Sequence, residues 1–325
     1  MNFKYWKFLF FNMLIFSIIL SISSYSWYSM WIGLEINMMS IIPLMNNSKN
    51  MMNTESAIKY FSSQIIASTM LLFSIIMMSN NLINNNSLII MINSALLMKL
   101  GSAPFHFWFP EVMEGQKWNI CLILLTLQKM IPFMILNYNM NLPMFFTIII
   151  LLNMMISMFL GLNQVSIRKI ITYSSINHIG WMISIMMFST MTWMLYFLIY
   201  SITMLIFSLL MNYYNIYTMN QLIKFNMNMN FKLIIIFMFF SMAGLPPFIG
   251  FMPKWLTIQL MIYNNHYLLP SVMVIITLFT MFYYIRLMIS SLIFSSFKTL
   301  TFKPNFFMNL NLLLLCFLPL MMMMM

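Results

Sequence analysis

In the stretch LMKLGSAPFHFWFPEVMEG, residues 97–115, a lysine precedes a glycine and a proline in a chain of which 62% is hydrophobic and only 6% charged. Lys99 is one of five ionisable residues that fall inside long apolar stretches; the others are Glu35, Lys129, Lys254 and Arg286. A Lys or Arg at the centre of a bilayer costs about 2.5–3.5 kcal/mol on insertion scales, so such residues face a bundle interior and serve a purpose there. The chemistry they suit is proton relay. A lysine removed from water gives up its proton more readily, and a nearby carboxylate holds it in place. Moving the acid or hydrating the site therefore switches the lysine between holding and releasing. Glu35 is the one acid expected within a span, which makes it the natural modulator of Lys99. His106 and His178 extend the candidate relay because imidazole titrates near neutrality; for either, packing with a satisfied hydrogen bond is an equal alternative. For Lys254 and Arg286 the competing reading is snorkelling or a structural clamp on carbonyls.

Other chemistries lack their residues. Cys121 and Cys316 lie in separate apolar segments and are too few for an iron–sulfur cluster or a disulfide framework. Seven glycines provide neither a dinucleotide fingerprint nor a P-loop. His106, His178 and His266 have no metal-ligand spacing, so no metal site is expected. The net charge of +11 comes without a basic cluster interleaved with aromatics, which argues against nucleic acid and for basic loops on one side of a membrane.

The elements that must position these residues are transmembrane helices, since a span needs about 20 apolar residues. The hydropathy pattern predicts eleven, near 5–22, 26–45, 56–79, 87–112, 118–137, 142–162, 166–187, 190–213, 231–262, 270–294 and 305–323. The first could pass for a signal peptide, with Lys4 and Lys7 before an apolar core; its length and the span that follows favour a retained helix. With this count one side of the membrane receives Lys4, Lys7, Lys49, Lys59, Lys117, Arg168, Lys169, Lys224, Lys232, Lys298 and Lys303. The loops of the other side carry no Lys or Arg. Such asymmetry places the N-terminus on the positive-inside face and the C-terminus opposite.

GSAPFHFWFP (101–110) has a twin in GLPPFIGFMP (244–253), sharing G-x-x-P-F-x-x-x-x-P at an offset of 143 residues. Each copy interrupts a long segment, the fourth and the ninth, and the same offset carries Glu35 onto His178. The expected fold is therefore all-α, with two inverted five-helix repeats (about 5–137 and 142–294), broken helices four and nine, and a final helix (about 305–323), in one domain over 1–325. Paired broken helices in inverted repeats mark an ion path near the midplane. Proline lacks an N–H, so Pro104 is expected to free the Leu100 carbonyl, Pro246 and Pro247 those of Met242 and Ala243, and Pro132 that of Gln128. Each freed oxygen is a partner for a nearby ammonium group.

WIGLEINMMSIIP (31–43), KLGSAPFHFWFPEV (99–112), LQKMIP (127–132), SSINHIGWM (174–182) and AGLPPFIGFMPKW (243–255) together resemble the antiporter-like, proton-pumping membrane subunits of respiratory complex I, a family related to Mrp-type cation/proton antiporters. The similarity covers nearly the whole chain. It implies that Glu35 and Lys99 match the family's Glu–Lys pair, Lys129 its central connecting lysine, and Lys254 the lysine at the broken helix of the second repeat. Bacterial relatives carry three further N-terminal helices, and the resemblance starts at the fourth. It further implies the mitochondrial inner membrane, with basic loops towards the matrix, and as partners other membrane-arm subunits, including further antiporter-like ones, and membrane lipids. NADH, FMN, iron–sulfur clusters and ubiquinone belong elsewhere in such a complex, and no cofactor is expected on this chain. A stand-alone sodium/proton antiporter of the same fold and a scaffold with vestigial charges are the rival readings. The absence of Asp argues against sodium coordination, and four aligned buried ionisable groups argue against a scaffold.

Overall fold

A chain this apolar has no water to satisfy its backbone inside a bilayer, so its peptide groups must pair within each segment, and helices result. The computed structural model describes residues 3–46, 50–80, 85–224 and 229–293. Among the described residues the regular structure is helical apart from one isolated antiparallel bridge, Ser166 to Thr218. Six stretches among the described residues are long and apolar enough to cross a membrane: Tyr5–Ser23, Met51–Ser79, Trp118–Asn137, Pro143–Leu162, Thr190–Tyr214 and Leu268–Ile289. The expected helix at 305–323, Lys49, Lys298, Lys303 and Cys316 lie outside the described residues.

The chain forms two compact units, residues 1–143 and 144–325. The first holds α1 (Phe3–Ser23), α2 (Trp27–Met45), α3 (Met51–Ser79), α4 (Asn85–Leu100), α5 (Trp108–Gly115), α6 (Trp118–Leu125) and α7 (Leu127–Asn137). Here α1 lies along α2, α3 packs on α2, α4 and α5, and α4 packs on α7. Gly33 permits the α1–α2 approach, since a Cβ there would stand 2.8 Å from the Ser21 Cβ. Two boundaries differ from the hydropathy reading. The third helix starts at Met51 rather than near 56, because its polar first turns precede the apolar stretch; Glu55 thus falls inside it, paired at 2.9 Å with Lys59, which also meets Glu111 of α5 at 2.8 Å. The fifth is two helices, interrupted at Thr126 (φ −115°, ψ −78°), while Pro132 sits within the continuous α7.

The second unit comprises α8 (Pro143–Leu162), α9 (Ile167–Met186), α10 (Thr190–Tyr214), the short α11 (Met219–Lys224), α12 (Met229–Ala243), α13 (Phe251–Tyr263) and α14 (Leu268–Ile293). Helix α9 buries 18 of its 20 residues, all but Arg168 and Lys169. Burial on every side is what lets one helix hold Ser174, Ser175, Asn177 and His178 away from lipid.

The twin motifs break their helices in the same way. α4 ends at Leu100 and α12 at Ala243; α5 starts at Trp108 and α13 at Phe251, each pair 143 residues apart. Gly101 (φ +70°) and Gly244 (φ +76°) adopt the left-handed conformation that glycine takes without penalty. After the first helix, the Ser102 N–H donates to Leu97 O and the Gly101 N–H to Met98 O, both at 3.1 Å. After the second, the Leu245 N–H donates to Phe240 O at 3.2 Å and the Gly244 N–H to Ser241 O at 3.1 Å. This pair of bonds is a Schellman cap, with glycine at the position after the last helical residue. The Ala103–Pro104 and Pro246–Pro247 peptide bonds are both cis. The glycines, not the prolines alone, end the helices: each chain has left the helix before its proline is reached.

Candidate functional site

Helix caps leave the last carbonyls without helical partners, and the three lysines buried among the described residues sit beside helix ends or interruptions. Lys254, in the second turn of α13, reaches back across the break and donates from Nζ to the Ala243 carbonyl at 2.7 Å. This is the freed oxygen expected from the sequence, although the Schellman end exposes it. The lysine stem lies against Gly244, where a Cβ would meet its Cδ and Nζ at 2.8 Å.

In the first unit Lys99 occupies the last turn of α4, where the partial negative charge of the helix end favours a cation. It is 7% exposed. Lys99 lines a small polar cavity of about 10 Å³ with Leu34, Asn37, Met38, Tyr60, Gln64, Gln128 and Pro132. That is room for about one water. Glu35, half-buried on α2, interacts electrostatically with Lys99 and Tyr60, and its Oε1 is buried without a hydrogen-bond partner. The two form no ion pair within 4.0 Å among the described residues, so they are coupled through space rather than clamped. Lys129, 2% exposed, follows the Thr126 interruption and holds its ammonium group 5.0 Å from the Phe109 ring centroid. Phe109 of α5 also packs beneath Gly101.

The other candidates separate. His178 lies on buried α9, its Nδ1 2.8 Å from the Tyr196 hydroxyl and its ring against Tyr200. His106 lies in the α4–α5 break with Nδ1 3.2 Å from Pro104 O, its ring on Phe107 and its Nε2 buried without a partner. Arg286 of α14 donates from Nη2 to Gln164 O at 2.9 Å, which is the carbonyl clamp weighed for it.

Sequence reasoning missed the side chains of Asn37, Tyr60, Gln64 and Gln128, having named only the Gln128 carbonyl. Two signals pointed to them: Tyr60 and Gln64 are four apart on one face of α3, and Gln128 immediately precedes Lys129.

Helices interrupted at twin capped breaks, with buried lysines at the interruptions, define the class: an antiporter-like membrane protein. A family model described as "NADH:quinone oxidoreductase/Mrp antiporter, TM" matches residues 24–280. Among solved structures, a chain of "Respiratory complex I from Thermus thermophilus with bound Aureothin" shares the fold at TM-score 0.82 and 20% identity, covering 95% of this chain and 75% of that one. A chain of the Mrp complex from Dietzia sp. DQ12-45-1b aligns at TM-score 0.75 and 13% identity, over 85% and 58%. A protein named NADH-ubiquinone oxidoreductase chain 2 from Anopheles gambiae is 47% identical over 308 residues, 93% of this chain and 90% of the relative. The Aedes aegypti protein of that name is 47% identical over 314 residues, 94% and 92%. The chain belongs to the NADH:quinone oxidoreductase/Mrp antiporter membrane family and, within it, to the NADH-ubiquinone oxidoreductase chain 2 proteins.

Proposed function

We infer that the chain is a core membrane subunit of NADH:ubiquinone oxidoreductase and supplies a proton route driven by electron transfer elsewhere in that complex. The observation that carries the route is the placing of three lysines, all but excluded from solvent, at helix interruptions within long apolar stretches that hold few other charges. Lys99, modulated by Glu35, and Lys129 serve the first unit, and Lys254 the second. A lysine that holds or releases a proton beside open carbonyls and a water-sized void can load and unload without crossing hydrocarbon. His178 and His106 are auxiliary candidates. The supporting architecture is eleven spans in two inverted five-helix repeats (about 5–137 and 142–294) and a terminal helix. We place it in the mitochondrial inner membrane with the basic loops and N-terminus towards the matrix, among further antiporter-like subunits and lipids. NADH, FMN, iron–sulfur clusters and ubiquinone are handled by other subunits.

The test is native electrophoresis followed by proton pumping. The chain is expected to co-migrate with NADH-oxidising activity, and Lys99→Met, Lys129→Met and Lys254→Met are each expected to lower coupled pumping by roughly tenfold or more in assembled complex. A chain that migrates alone and exchanges sodium for protons would replace this reading with the stand-alone antiporter.

A further inference from the structure

The polar groups beside Lys99 have a fixed hydrogen-bond sense. Gln128 Nε2 donates to Asn37 Oδ1 at 2.9 Å, and Asn37 Nδ2 donates back to Gln128 Oε1 at 3.3 Å. The Tyr60 hydroxyl also donates to Gln128 Oε1, at 3.0 Å. A phenol has one proton to give. With that proton committed to Gln128, Tyr60 offers only lone pairs to the cavity it lines. Gln64, one helical turn further along α3, lines the same cavity, and its buried Nε2 has no partner. It can only donate. A void of about 10 Å³ between an unsatisfied donor, an acceptor and a lysine offers the two to four polar contacts that a buried water requires.

We propose that this cavity is a one-water relay site for Lys99, and that Tyr60, oriented by Gln128, is the positioning residue that sets which way the water points. The water accepts from Gln64 and from the Lys99 ammonium group and donates one O–H to Tyr60. Its second O–H points along the route. When Lys99 unloads, an ammonium N–H breaks as a water O–H forms, and the same water passes one of its own protons to the next water. Lys99 ends neutral and the site again holds one water, so protons and charge balance. Tyr60 neither gains nor loses a proton. The Asn37–Gln128 amide pair is the fixed strut, because reversing it would turn the Tyr60 proton into the cavity and leave two donors facing each other.

This proposal rests on the reading of Lys99 as a proton carrier, and its test separates the two. Membrane vesicles with matched complex content are compared for Tyr60→Phe, Gln64→Met, the double variant and Lys99→Met. Tyr60→Phe and Gln64→Met are each expected to slow coupled proton translocation about fivefold, the worth of one hydrogen bond, and to raise the solvent deuterium isotope effect, which a packing change alone would leave unmoved. The double variant should be no slower than the worse single one, because both act on the same water. Gln64→Met, which keeps chain length and removes no bonded partner, carries the test if Tyr60→Phe lowers assembly. Wild-type translocation and isotope effect in both single variants, with Lys99→Met inactive, would overturn the water site and leave the role of Lys99 standing. Wild-type translocation in Lys99→Met would overturn the function on which it rests.

Discussion

Glu35 and Lys99 show how a charge pair can be coupled without being locked. A contact ion pair buried in hydrocarbon holds both charges in place, and removing one partner leaves the other stranded. Across about 6–7 Å at an effective dielectric near 20, two unit charges still interact by roughly 2.5 kcal/mol, enough to bias a proton without trapping it. Glu35→Gln keeps the shape and deletes that bias. It is expected to assemble normally and to lose coupled pumping, whereas Lys4→Met, in the first turns of α1, should leave both unchanged; proton translocation per NADH in membranes of matched complex content measures this. A Glu35→Gln complex that pumps like the wild type would remove Glu35 from the route. Arg286 belongs to another category. Its bond to Gln164 O ties α14 to the turn after α8, so Arg286→Met is expected to reduce assembled complex on native gels while leaving pumping per assembled complex intact.

At the scale of helices, much was legible before the structure, and the limits have physical causes. The twin motifs could be located because Gly and Pro are rare enough here to stand out, and both do break their helices. Which residue ends the helix was not legible. Proline advertises a missing N–H, but the Schellman cap is a backbone geometry whose only trace is one glycine at Gly101 and one at Gly244. The Thr126 interruption had no visible signal, since threonine occurs freely in such helices. Hydropathy also missed the start of α3, because apolar windows report the hydrocarbon and not the headgroup zone. Of the candidate site, the charges stood out against an apolar background while the amides and phenol that orient them did not: Asn and Tyr are common in this composition, and a Gln carries no charge to mark it. The cap yields its own expectation. A left-handed backbone costs a residue with a Cβ about 1–2 kcal/mol, and at Gly101 that Cβ would also press on Phe109 at 3.0 Å. Gly101→Ala should therefore lower the temperature at which assembled complex is lost, with Gly161→Ala, a helical position of ordinary φ, as the milder control.

For the molecule as a whole, the basic loops offer the simplest check on topology. Probes at Lys117, Arg168 and Lys224 are expected to react from the matrix side, and probes near Met140 and His266 from the opposite side. A mixed pattern would mean that the span count is wrong. One contact described above reaches further than its size suggests. The Lys254 side chain runs through the space that Gly244 leaves by having no Cβ, on its way to the Ala243 carbonyl. In heredity such a glycine is a charge position in disguise. A variant at residue 244 would read, by its chemistry, as a minor change of bulk, yet beyond the backbone strain it shares with residue 101 its effect would fall on the placement of an ammonium group ten residues away.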